Sequence, residues 1–438
     1  MPPCFPDADV FPCIVLLRKR GENEAGPAGG EPGALVCAVP REALGTEELG
    51  EYVAAHGFTV PADRFTAAPW SLEPREVQRL LDKIRSAGRP LRDYAGASPL
   101  YGIKTGLNEA FLIDTATRDR LVRDDPGSAE LVRPFLRGQD VTRWSPQWAG
   151  LWMVALWSGE NHPWPWTGAV EAKAEQLFRR AYPALHAHLK PMEAQLRKRS
   201  DQGQYWWELR SCAYYEAFDQ PRILYPDITW ASEFCYDADR RLCNNTVYFI
   251  PTAPLWLLAV LNSPAMWYVL AKTAVHGKDE VLRLFSGLVE DLPIPTPTNE
   301  WLDTGEPGVR RLLALASERR ALQREVLEWL RAEFAVDRPG QRLEEFAALE
   351  RDEFVTEVKR RRPRRSSGLT PRALARLHEA YGEYVPRMRE MAAEAERLEE
   401  RLAALVNDAY GLTAEEVELM WRTAPPRMPV RPPGADRD

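Results

Sequence analysis

Tyr101-Gly102-Ile103-Lys104-Thr105-Gly106-Leu107-Asn108-Glu109-Ala110-Phe111 and, further along, Arg133-Pro134-Phe135-Leu136-Arg137-Gly138-Gln139-Asp140-Val141-Thr142-Arg143-Trp144 open and close the stretch on which the fold of this chain turns. Gly102 and Gly106 bracket a Lys-Thr pair, so the backbone can turn tightly there and expose its N–H groups. The run 110–113 then reads as a strand that carries the chain into the fold. In the closing half, arginines, an amide and a carboxylate surround Gly138, which predicts a second turn presenting polar groups to a large polar partner. A phosphate loop is excluded by spacing: it needs Gly-x-x-x-x-Gly-Lys-Ser/Thr, and Ser98 and Ile103 stand at its glycine positions. On residue chemistry the turn 102–108 has two readings. It is a glycine turn holding a buried Asn, or it faces nucleic acid with Lys104 on a phosphate and Thr105 or Asn108 near bases.

Composition bounds what surrounds this stretch. The length, 438 residues, predicts roughly two or three domains and ample chain for a buried core. The net charge of −7 argues against a basic chain that coats nucleic acid indiscriminately, and leaves room for a local basic groove. The six cysteines (4, 13, 37, 212, 235, 243) include no Cys-x-x-Cys. They suit neither a zinc site nor a disulfide framework, and a reducing cytoplasm fits best. The N-terminus lacks the charged lead and long apolar core of a signal peptide. The most apolar stretch, 254–275, is interrupted by Asn262-Ser263-Pro264 and reads as a buried helix pair rather than a membrane span.

Further out, residues 71–88 predict a short helix capped by Ser71, with Pro74 in its first turn and Val77, Leu80, Leu81 and Ile84 as one apolar stripe. Gly88-Arg89-Pro90-Leu91 reads as a linker. Six tryptophans between 144 and 166 predict a packing cluster, with 151–156 a buried strand; stacking on exposed bases is the alternative. Residues 169–199 predict a long helix bent near Pro183 and Pro191, with Leu177, Leu185, Leu189, Met192 and Leu196 inward. In 201–210, Gln204, Tyr205 and Arg210 form either a base-reading loop, since Gln pairs with adenine and Arg with guanine in the major groove, or a solvated helix end with a packed aromatic. Strands are expected at 222–228, 234–236 and 244–250. Lys278 and Arg283 are phosphate contacts or surface charges. Beyond 296 the character changes. Residues 306–334 and 342–362 are charge-rich and helical, and 374–406 is a longer helix. In it Met388, Met391, Ala395, Leu398, Leu402 and Leu405 make a heptad seam. An antiparallel hairpin within the chain is favoured over an intermolecular coiled coil. Residues 359–365, including Lys359, Arg360 and Arg361, are basic at six of seven positions, either contacting a DNA backbone or forming an exposed loop.

The blocks resemble a known family. The pattern Gly-Ile-x-Thr-Gly-x-Asn-x-Ala-Phe stands at 102–111 and Pro-x-Leu-x-Gly-x-Asp-Val-x-x-Trp at 134–144, followed by Asn244-Asn245-Thr246, the paired apolar helices and Leu292-Pro293-Ile294-Pro295. This is similar to the C-terminal specificity domain of TaqI-like N6-adenine DNA methyltransferases, found in single-chain type IIG restriction-modification enzymes. The resemblance implies an α+β target-recognition domain (98–296) and a C-terminal helical hairpin or bundle (297–421). Before them come the end of a methyltransferase domain (1–70, a strand hairpin of 10–17 with 34–39) and a linker helix (71–97); a disordered tail (422–438) follows. It also implies duplex DNA as partner, with Lys104, Thr105, Asn108, Arg137, Gln139, Arg143, Gln204, Tyr205, Arg210, Lys278, Arg283, Lys359, Arg360 and Arg361 as the candidate contacts.

Chemistry is where the chain departs from the family. Amino-methyl transfer to adenine needs an Asn/Asp-Pro-Pro-Tyr/Phe motif to hold the flipped base, and none occurs. No Gly-rich strand-to-helix turn would seat the methyl donor either. No catalytic, cofactor or metal-binding residue is therefore expected here, and S-adenosylmethionine is expected only in a catalytic partner. Two explanations compete: a gene fragment, or one half of a split adenine-specific methyltransferase. A helical interaction scaffold that uses no DNA is the reading from another class.

Overall fold

The computed structural model describes residues 33–39, 49–67, 70–251, 254–363 and 368–432. It is an α+β protein: among the described residues, five small sheets through residue 295 are followed by long helices.

The expected hairpin partner at 10–17 lies outside the described residues. Within them, Gly33–Val36 pairs antiparallel with Phe58–Pro61, across the helix Leu49–His56. The next helix, Arg75–Ala87, buries Val77, Leu80, Leu81 and Ile84 as the periodicity requires. Its cap differs from expectation. Pro74, not Ser71, precedes the first turn, with φ at −52° already near the helical value. The presumed linker is also a structural piece. Gly88–Pro90 pairs antiparallel with Pro293–Pro295, and Leu91 is fully buried. This pairing places the two ends of the 88–295 region side by side.

Two four-stranded sheets carry that region. One runs in the order Cys235–Asp237, Arg222–Pro226, Val247–Pro251, Leu100–Tyr101, antiparallel throughout. The other runs Leu242–Cys243, Val132–Leu136, Leu151–Val154, Leu112–Asp114, with only its first pair parallel. The expected strand at 110–113 begins later. Asn108–Phe111 forms one helical turn, and the strand is Leu112–Asp114. A three-stranded ribbon of Val275–His276, Leu282–Arg283 and Ile228–Thr229 flanks the first sheet.

The second sheet packs on an aromatic core. Trp166, Trp206, Trp207, Phe178 and Phe218 are almost wholly enclosed, and each such ring contributes roughly 1.5–3 kcal/mol over exposure. The tryptophan density between 144 and 166 is thus mainly packing, although Trp148 is exposed. The helix expected over 169–199 is interrupted, as its prolines require. It runs as Glu171–Ala181, Pro183–Leu189, the short turn Lys190–Met192 and Glu193–Leu196, with Pro183 and Pro191 each near the start of a segment.

The first sheet packs on the apolar pair Leu255–Leu261 and Pro264–Thr273, bent by 58° and buried within the protein. Among the described residues no single helix is long and apolar enough to cross a membrane. The same core continues into the C-terminal helices through Val309, Leu312, Leu402, Leu405 and Val406. There Glu306–Phe334 and Pro371–Ala409 run antiparallel, as the cross-links Arg311–Glu394 and Arg376–Glu333 show. The heptad seam is therefore used inside the chain, where Leu402 faces Gly308. The far half of this bundle closes its own core, with Phe346, Phe354, Val358 and Tyr381 from the helix Arg351–Arg361 and its neighbours.

Candidate nucleic-acid interface

The turn 102–108 is wedged where the two sheets meet, Gly102 N donating to Val247 O of the first at 2.9 Å. A Cβ on Gly102 would lie 2.1 Å from the Asn244 carbonyl oxygen, so only glycine fits. The next residue, Ile103, donates its N–H to Cys243 O at 2.7 Å. Thr105 is buried. Its hydroxyl donates to Asn108 Oδ1 at 2.6 Å, and its carbonyl accepts from Arg199 Nη1 at 2.7 Å. Lys104 is half-exposed, with its ammonium 6.0 Å from the centre of the exposed Tyr101 ring, and Asn108 is exposed.

Arg199 ties this turn to the loop 201–210. Its guanidinium also donates to Trp206 O at 3.0 Å and to Glu208 O, and burial pulls its pKa down to about 10. Glu208 is fully buried and accepts from Gln204 N at 2.9 Å, Trp166 Nε1 at 2.9 Å and Gly159 N at 3.0 Å. Burial still outweighs these hydrogen bonds and pushes its carboxyl pKa up. Around this frame Gln204 and Arg210 face solvent, Arg210 beside Asp201 at 3.1 Å. Tyr205 does not. It stacks on Trp207 at 4.8 Å and donates its hydroxyl to Ala169 O at 2.6 Å. Thr105 and Tyr205 thus hold the loops together from inside instead of presenting side chains outward.

The turn 137–144 is divided in the same way. Arg137 folds back on the buried Asp140, with Nη2 donating to Oδ1 at 2.9 Å, while Gln139 projects into solvent. Arg143 turns inward, Nη2 donating to Glu399 Oε2 at 2.9 Å and Nη1 to Asn262 Oδ1 at 3.1 Å. Trp144 donates its indole N–H to the same Glu399 and holds φ at +72°, a left-handed backbone that a bulky residue adopts only when its surroundings impose it. Arg143 therefore joins this turn to the helix Pro371–Ala409 and is not free to meet a partner.

Arg283 is exposed on the three-stranded ribbon and paired with Asp227 at 2.9 Å; Lys278, also exposed, lies on the same ribbon's connecting turn. Tyr248 pairs with Tyr101 in the first sheet, and its hydroxyl feels both Asp227 and Arg283. Lys104, Tyr101, Tyr248 and Arg283 therefore follow one another along one surface. Lys359, Arg360 and Arg361 stand apart at the end of Arg351–Arg361, where Arg360 and Arg361 flank the buried Glu357 at 3.0 and 2.9 Å. The organisers Arg199, Glu208, Asn262 and Glu399 were not singled out by sequence reasoning. An acid inside the otherwise apolar run 205–209 was a signal for Glu208; Glu399 looks like any charged flank of a heptad seam. Among the described residues no cluster of His, Cys, Asp and Glu is placed to hold a metal.

Residues 133–294 match the family model of the TaqI-like C-terminal specificity domain. The chain carries a TaqI-like specificity domain. The turn with Gln139, the strands that seat the turn 102–108, and the ribbon with Arg283 all fall within its matched span or hydrogen-bond to it. A second match covers 303–406, a domain of unknown function, DUF8810, which is the helical bundle packed on the specificity domain. Among solved structures, the type IIL restriction-modification enzyme MmeI in complex with DNA is similar over 74% of this chain at 15% identity and a TM-score of 0.42. The type IIG restriction endonuclease BpuSI is similar over 76% at 12% identity and a TM-score of 0.34. This chain spans 35% and 36% of those two chains. No curated protein matches the sequence.

Proposed function

We propose that this chain reads a specific sequence in duplex DNA for an N6-adenine methyltransferase of a restriction-modification or phage-defence system. The observation that carries the reading is the TaqI-like specificity domain over 133–294, with a polar turn that faces solvent at Gln139. Along its surface Lys104, Asn108, Gln204, Arg210, Lys278 and Arg283 supply phosphate and base contacts, and Gln139 reads a base edge in the major groove. Lys359, Arg360 and Arg361 are backbone contacts at the far end of the bundle. The catalytic step, extrusion of the target adenine and methyl transfer from S-adenosylmethionine, belongs to a methyltransferase domain outside these residues.

The first test is selection of bound duplexes from a random library, followed by gel shifts of the selected sequence across a salt series. Specific binding that weakens steeply with salt supports the reading. Binding without sequence preference, or none, removes it. Transfer of labelled methyl groups, with and without the product of the neighbouring reading frame, then tests the split-enzyme form of the proposal.

A further inference from the structure

A group of cations at the junction of the specificity domain and the helix Glu306–Phe334 falls outside every motif read from the sequence. Arg320, half-buried on that helix, reaches across to the loop after Trp144. Its Nη1 donates to Ser145 O at 3.1 Å and its Nη2 to the Ser145 hydroxyl at 2.5 Å. One helical turn later Arg324 is exposed on the same face. Among the described residues, no hydrogen bond or ion pair engages Arg324, and no carboxylate pairs with Arg320. Across the junction the strand Cys235–Asp237 is bridged to Trp144 through Cys235. Just past this strand stands Arg241, held by Asp237 at 2.8 Å and by Asp239. Burial, and then the Arg241 and Arg324 guanidiniums, push the Arg320 pKa down, with the Cys235 thiol acting the other way.

Three other arginines that enter the protein each meet a carboxylate, whereas Arg199, like Arg320, is held without one. Arg222 meets Asp237, Arg143 meets Glu399 and Arg311 meets Glu394. A half-buried cation with no carboxylate partner of its own, one helical turn from the exposed Arg324, is unfavourable by itself, even though Arg241 beyond it is neutralised by Asp237 and Asp239. An anion placed between the guanidiniums would relieve that cost, and the planar Arg fork is matched to phosphate oxygens. The position is also connected to the candidate reading turn. Thr142 Oγ1 donates to Ser145 O at 2.8 Å, and Gln147 N to Asp140 O at 2.7 Å, so one compact loop carries both Gln139 and the Ser145 that Arg320 grips.

We propose that Arg320 and Arg324, flanked by Arg241, form a phosphate-binding site that takes a backbone phosphate of the duplex engaged by the specificity domain. The site deepens the DNA-recognition reading and rests on it. It gives the bundle, a domain of unknown function, a part in binding: it supplies a sequence-independent grip beside the reading turn.

The test uses the full chain with Arg324→Gln, Arg320→Gln and Arg320→Lys, a selected duplex and a scrambled duplex of equal length. Affinity is measured across a salt series. Each loss of a phosphate contact is expected to reduce the slope of log K against log salt by about 0.9, equally for both duplexes, while Arg320→Lys retains the slope of the parent. Should Arg320→Gln fold poorly, Arg324→Gln remains informative, because its exposed side chain makes no hydrogen bond or ion pair among the described residues. Unchanged slopes in both Gln variants, with the parent binding normally, overturn the site alone; a parent that binds neither duplex overturns the DNA reading itself. A final arm follows thermal unfolding in inorganic phosphate. Stabilisation of the parent but not of Arg320→Gln, with unaltered DNA slopes, would assign the site to free phosphate and overturn the duplex as its source.

Discussion

The specificity domain and the helical bundle treat charge in opposite ways. Within 133–294 some arginines go inside: Arg222 and Asp237 are fully enclosed, 3.2 Å apart, and Arg222 also donates to Phe218 O at 2.7 Å. On the outer face of the bundle they stay outside, as with Arg310 and Glu306, one helical turn apart with the Arg310 side chain 67% exposed. Small sheets of two to five residues per strand cannot bury much apolar surface each, so buried polar links hold their loops in one geometry. Two helices of 29 and 39 residues are held mainly by apolar residues in two successive clusters along their length, with their polar cross-links nearer the surface. Mutations should therefore act through different physics in the two regions.

The sharpest contrast is expected from Arg222→Ala, which leaves Asp237 buried with Arg241 as its one remaining cation partner. A loss of about 3–5 kcal/mol in urea unfolding is expected, enough to unfold much of the region; a loss under 1 kcal/mol would break the comparison. In the bundle, Leu402→Ala empties a packed position between the long helices and should cost about 2–5 kcal/mol, read the same way. Glu399→Ala strikes the junction, where one carboxylate serves both Arg143 and Trp144, and should cost about 1–3 kcal/mol. A cycle with Arg143→Ala sharpens this, since partners in one network are non-additive. Glu208→Gln should change a slope more than an offset. Burial raises the carboxyl pKa in the folded protein, so the stability contributed by this group is fully present below its unfolded pKa and is lost as pH rises through the folded one. The neutral variant should show a flatter fall in Tm with rising pH over that window. The smallest effect belongs to Arg310→Ala, where the exposed pair contributes about 0–0.5 kcal/mol; a larger loss would mean that bundle charges matter as buried ones do.

Legibility in the sequence followed the same division. The stripe Val77, Leu80, Leu81, Ile84 and the helix 306–334 could be read directly because helical periodicity is local. The strands near 222–228 and 244–250 were visible as short apolar runs, but their pairing was not, because sheet partners such as Tyr101 and Tyr248 lie far apart in the chain. Among the candidate contacts, Gln139, Gln204 and Asn108 are exposed, whereas Thr105, Tyr205 and Arg143 are turned inward. Residue type alone does not separate these two sets, since each residue can serve a core or a surface.

By itself the sequence determined the α+β class, the helical C-terminal half and the presence of two glycine-bearing motifs, because each depends on neighbours within a few residues. Only the tertiary structure decided which motif side chains face outward, that Gly88–Pro90 belongs to the sheet framework, and that Glu399 and Arg320 tie two bundle helices to the loop 143–145. Those outcomes depend on groups brought together from distant parts of the chain. The side of a loop on which an arginine finds its partner is set by packing, not by its neighbours in sequence.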